Sequence, residues 1–174
     1  NNIPVTLKDF NSQPSRRNAQ WGKDIFNSED WFERDYRNNQ HQKVRLFAVR
    51  SYDHKRLYHH PELALSYGKS LTSKGTVNLP GVPDSPIHIL SKNNGSILVV
   101  YALLYNDELV KNPILHQLSD SIRLLFSPRK PMTLLYASQS GLPSNTQPNQ
   151  SAAASLLSLA IQNFKSQTKT IDSN

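Results

Sequence analysis

The sequence predicts an α+β domain: a single mixed β-sheet, helices packed against it, and an amphipathic C-terminal helix held on a tether. Three observations lead there. Asn94-Gly95 separates two strand-like runs, Ile87-His88-Ile89-Leu90 and Ser96 to Tyr105, and such a dipeptide is the strongest short-range sign of a hairpin. A strand, a helix and a strand follow one another between Ser96 and Ala137, the order of a βαβ unit with parallel strands and a right-handed crossover. Ala153, Leu156, Leu157, Ala160, Ile161 and Phe164 then recur at helical spacing, a full apolar stripe.

Taken in chain order, residues 1–20 are rich in Asn, Ser, Gln and Pro and lack an apolar period, so they read as an extended or disordered arm. Residues 21–138 form the core domain of this reading. Aromatic side chains gather at Trp21, Phe26, Trp31, Phe32 and Tyr36. Ser28 is placed to cap a short helix from Glu29, with Trp31, Phe32 and Tyr36 on one face. Val44 to Tyr52 alternates as a strand with both faces partly apolar. His60-Pro61-Glu62 suits a helix start, with Leu63, Tyr67 and Leu71 on one side, and Gly75 to Leu79 reads as a short strand before the turn at residues 80–84.

The run Ser96 to Tyr105 is almost continuously apolar, as in a strand covered on both faces. Asn112 and Pro113 mark a helix start, and Leu115, Leu118, Ile122 and Leu125 give that helix its own stripe, ended by Ser127-Pro128. Met132 to Ala137 is the next strand. Residues 139–151 have the composition of a polar linker, and the C-terminal amphipathic helix and its tail occupy 152–174.

Composition bounds the chemistry. The chain has 174 residues, enough for a real core, and no cysteine, which excludes disulfides, thiolate metal sites and a cysteine nucleophile. The longest apolar run covers the nine residues 97–105, against the roughly twenty a membrane helix needs. The start at Asn1-Asn2 instead of Met reads as a processed or excised form, which leaves room for an upstream membrane anchor and leaves the compartment open. The net charge of +7 favours polyanionic surfaces, and eleven of the twenty basic residues fall in the first sixty positions.

Catalytic signatures are sparse. Neither Gly-x-Gly-x-x-Gly nor the phosphate-loop pattern occurs, and Gly68-Lys69-Ser70 lacks the upstream glycine. Ser138-Gln139-Ser140-Gly141 lacks the preceding glycine of a nucleophile elbow. No cofactor is expected. His54, His59 and His60, with Asp53 and Glu62, form the one crowded imidazole–carboxylate group, a candidate for a His-based hydrolase or nuclease or a metal. The sequons Asn94-Gly95-Ser96 and Asn149-Gln150-Ser151 matter only in a secreted eukaryotic chain.

Three functions emerge as expectations. The first is a non-enzymatic interaction or assembly module, a subunit or extramembrane domain that meets a protein partner or its own copy. Its anchors would be Trp21, Trp31, Phe32, Leu157, Ile161 and Phe164. The second is a nucleic-acid binder using Arg37, Lys43, Arg45, Arg50, Lys55 and Arg56 with Tyr52 and Tyr58, although strand parity sends Arg45 and Arg50 to opposite faces. The third is the histidine-based hydrolase.

Overall fold

The computed structural model describes residues 3–58, 71–79, 85–92, 95–106, 108–123, 128, 130–143 and 145–171. Nine strands build one sheet: β1 (Thr6–Leu7), β2 (Phe10–Pro14), β3 (Trp31–Arg37), β4 (Lys43–Ser51), β5 (Leu71–Asn78), β6 (Pro86–Lys92), β7 (Ile97–Tyr105), β8 (Glu108–Leu109) and β9 (Met132–Ser140). Their order is β1-β2-β3-β4-β9-β7-β6-β5, with β8 paired to β7 outside that path. The helices are α1 (Trp21–Phe26), α2 (His54–Tyr58), α3 (Pro113–Arg123) and α4 (Ala152–Ile171), with a 3-10 turn at Pro148–Gln150. This is the α+β class with one sheet and a C-terminal helix.

Every described strand pairing is antiparallel, so the sheet is not mixed. The expected parallel βαβ unit is corrected at β7 and β9, which lie side by side with Tyr105 opposite Met132 and Ile97 opposite Ser140. The chain leaves the sheet at the end of β7 and re-enters it at the same end. Asn106 takes a left-handed φ of 50°, and β8 folds straight back onto β7. A connection that returns where it left has no sheet face to cross, and α3 stays at that end of the sheet.

One face of the sheet carries Tyr36, Val44, Leu46, Ala48, Ile87, Ile89, Val100, Ala102, Leu135 and Ala137, all buried in one core with α4. The helix supplies Ala153, Leu156, Leu157, Ala160 and Ile161, each no more than 2% exposed. Ser151 caps it, its Oγ accepting from the Ala154 amide at 3.1 Å, while Gln139 Oε1 accepts from the Ala153 amide at 3.1 Å. The linker of the sequence reading is therefore partly ordered structure: β9 runs to Ser140, and the 3-10 turn leads into the cap.

The opposite face holds Phe47, Val49, Leu103, Met132 and Leu134 beneath Phe26 and Leu57. Trp21 meets Phe26, Trp31 and Phe47 edge-on, each at 5.4 Å between ring centroids. Gly22 makes this possible, because a Cβ there would lie 2.1 Å from Trp31 Cδ1.

Two more expectations change here. Residues Trp31–Arg37 form β3, not a helix, pairing along their whole length with β4. Ser28 is taken up elsewhere: its hydroxyl donates to the Arg50 carbonyl at 2.5 Å and accepts from the Asp30 amide at 3.1 Å. Alternation on the strand sends Tyr36 into one core and Trp31 into the other, which a helix could not do. The N-terminal arm, in turn, is ordered as β1 and β2. Ile3, Leu7 and Phe10 are buried, Arg34 donates to the Ile3 carbonyl at 2.6 Å, and the Tyr36 hydroxyl donates to the Pro4 carbonyl at 2.7 Å. The helix expected after His60 lies outside the described residues, as do His59 and His60 themselves.

Candidate functional site

The site grows from α3. Asn112 caps it, with Oδ1 accepting from the Ile114 and Leu115 amides at 3.1 Å each, and Pro113 takes the first helical position where no N–H is missed. The boundary is the one the sequence predicts. The orientation is the reverse of what the apolar stripe leads one to expect. Ile114, Leu115, Leu118 and Ile122 stand 72%, 62%, 61% and 65% exposed. The polar side chains His116 and Asp120 face the body instead.

Asp120 is 4% exposed and its Oδ2 lies 2.5 Å from His54 Nδ1. His54, 2% exposed, has its other nitrogen 2.6 Å from the Lys130 carbonyl. Both ring nitrogens are thus engaged, one by the Asp120 carboxyl group and the other by the Lys130 carbonyl. One turn back, the Tyr58 hydroxyl is hydrogen-bonded to His116 Nδ1 at 2.6 Å. Burial, reinforced by Asp120 and Tyr105, pushes the Tyr58 hydroxyl far above its ordinary pKa, so it remains protonated. The Tyr105 ring packs edge-on between both imidazoles, 5.7 Å from His54 and 4.9 Å from His116.

Thus α3 is fastened by polar groups beneath and presents aliphatic groups above. Beside it runs an open groove of about 880 Å³, lined among others by Tyr105, Leu109, Val110, Leu115, His116 and Lys130.

The residues singled out by sequence fall in other places. Leu157 and Ile161 are core residues under the sheet, and Trp21 and Trp31 pack in the aromatic cluster. Phe32 and Phe164 are half-buried against the main core. These six anchors are engaged within the chain, because the sheet itself needs two covers. The stripe of α3, which the sequence reading packs against the sheet, faces outward instead.

The basic stretch is likewise partitioned. Lys43 and Arg45 reach Asp35, each at 3.2 Å, Arg50 reaches Asp30 at 2.8 Å, and Arg56 reaches Asp53 at 3.1 Å. Arg37, Tyr52 and Lys55 are exposed, while Tyr58 is committed to His116. Of the histidine group, His54 has both nitrogens engaged by Asp120 and the Lys130 carbonyl, so neither is open to a metal. Among the described residues no group of three or more His, Asp or Glu converges as a metal site. His88 stacks on Tyr101 at 4.9 Å, and its Nε2 is buried without a hydrogen-bond partner. Burial holds its pKa below the ordinary value.

No family model, curated protein or solved structure matches the chain.

Proposed function

We propose that the protein is a non-enzymatic interaction module, a subunit or extramembrane domain of a larger assembly, and that α3 is its docking element. The observation that carries this reading is the orientation of α3. A surface helix ordinarily turns its stripe inward, and exposed contiguous aliphatic patches mark places that another surface covers. The buried His54–Asp120 pair supports it further. Such a pair contributes little net stability but penalises any rearrangement that separates its partners. It therefore keeps α3 from rolling over to hide Ile114, Leu115, Leu118 and Ile122.

The nucleic-acid alternative keeps Arg37, Lys55 and Tyr52 as exposed contacts, while Lys43, Arg45, Arg50 and Arg56 sit on carboxylates. Its exposed cations are too few to be preferred over the ridge.

The test is the double variant Leu115→Ser/Leu118→Ser. A face kept for docking adds nothing to the fold of the isolated chain. The variant should therefore melt within about 2 °C of the parent and lose the parent's retention on a phenyl column. A fall of many degrees would mean that the chain covers this face itself, and the reading would be abandoned.

A further inference from the structure

We propose that the surface covering α3 is an anionic lipid bilayer, met at its headgroup level; this rests on α3 being the docking element. Three properties of the ridge select this occupant over a second copy or a protein partner.

The first is charge. Residues 111–130 contain four cations, Lys111, Arg123, Arg129 and Lys130, and one acid, Asp120, which is sealed beneath the helix on His54. Lys111 precedes the cap and is exposed; Lys130 is exposed and donates to Asn106 Oδ1 at 3.2 Å. Arg123 closes the helix, and Arg129 follows it in the sequence. Glu108, in the preceding hairpin, is the nearest exposed acid by sequence among the described residues. Lys111 and Lys130 line the groove beside the aliphatic ridge, with Glu108 the one acid there among the described residues, and a ridge edged by net positive charge matches an interface where acyl chains lie below anionic headgroups.

The second is size. The ridge offers four side chains, whereas a stable protein interface engages roughly 20–30 residues a side. Two copies would also bring together two chains of net charge +7. A bilayer has no such threshold, because aliphatic insertion and headgroup attraction add to each other and either alone is marginal.

The third is chemistry. Protein hot spots favour Trp, Tyr and Arg, with leucine under-represented. The exposed side of α3 carries two isoleucines, two leucines and the serines Ser119 and Ser121, and no aromatic ring. An 11-residue helix is about 16 Å long and suited to lying in the interface plane. No helix among the described residues is long and apolar enough to cross a membrane. The contact is therefore peripheral.

Co-sedimentation with phosphatidylserine–phosphatidylcholine vesicles, against pure phosphatidylcholine vesicles, tests this. Binding should require the anionic lipid. Leu115→Ser/Leu118→Ser should weaken it by more than tenfold, and Lys111→Gln/Lys130→Gln by roughly tenfold. All these residues are exposed, so circular dichroism and melting should be unchanged. Binding that survives the leucine changes but disappears with salt would be plain attraction to a basic protein and would overturn the proposal. Absence of binding, together with light scattering that shows a dimer abolished by Leu118→Ser, would overturn the lipid as occupant and leave the docking reading standing. Absence of both would overturn the lipid proposal, while the melting test above separately decides whether α3 is a docking face at all.

Discussion

In α4, Leu156, Leu157, Ala160 and Ile161 are sealed against the sheet; in α3, Leu115, Leu118 and Ile122 recur at the same kind of spacing and stand more than 60% exposed. Both helices are amphipathic, and both begin at a polar cap. They differ in what lies under them. α4 runs beneath the sheet, where Leu46, Val100, Leu135 and Ala137 offer an apolar floor. α3 sits at the sheet end over His54, Tyr58 and Tyr105, and the groups that can satisfy that floor are His116 and Asp120. An apolar stripe thus reveals that a face will be covered. The floor available decides whether the chain itself is the cover.

The contrast can be broken most directly from the α4 side. Leu157→Ala should cost ~2–5 kcal/mol in urea unfolding, because a wholly buried leucine leaves a cavity. The equivalent truncation at the α3 ridge is expected to be near neutral. A ridge leucine as costly as Leu157 would erase the distinction.

An effect of comparable size but narrower reach is expected from Asp120→Ala, which strands the buried His54 ring. Removing one partner of such a pair costs about 3 kcal/mol or more, and the damage should be local. Hydrogen exchange should accelerate in α3 while α4 amides stay protected. Equal acceleration in both helices would show that α3 is part of the main cooperative unit and not an appended one.

The smallest effect separates two imidazoles, the buried His54 and the partly buried His88. His54 is bonded on both nitrogens, whereas His88 keeps an unpartnered Nε2 and a lowered pKa. A histidine held neutral in the fold contributes full stability above its unfolded pKa of about 6.5. That contribution is lost as pH falls through that value towards the lower folded one. His88→Phe preserves a ring for stacking on Tyr101 and removes the titration. It should raise the melting temperature, and by more at about pH 5 than at about pH 7.5. A constant gain at both pH values would assign the effect to packing alone.

Much of the sheet was legible in the sequence. Continuous apolar residues from Ile97 to Tyr105 announce a strand covered on both sides, and β7 has Val100 in one core region and Leu103 in the other, both buried. Asn94-Gly95 announced the β6–β7 hairpin, whose strands pair antiparallel from Ser91–Leu98 to His88–Tyr101. Trp31 and Phe32 were misread because adjacent aromatics satisfy a helical face and two faces of a strand equally well. Of the extended or disordered arm read from the first residues, the structure has the extended alternative, as β1 and β2, and polar composition conceals the three side chains that anchor it, Ile3, Leu7 and Phe10.

Spacing along the chain determined which positions are apolar together, where Asn112 and Ser151 begin their helices, and how β7 would be covered. These are local consequences of backbone period and of side chains bonding to nearby amides. Tertiary structure alone decided that β9 returns beside β7 from the same end, and that α3 therefore meets a polar seat. It also decided that four aliphatic side chains face outward. Which surface a stripe meets depends on contacts between residues distant in sequence, such as His54 with Asp120 and Tyr58 with His116, and no local period encodes them.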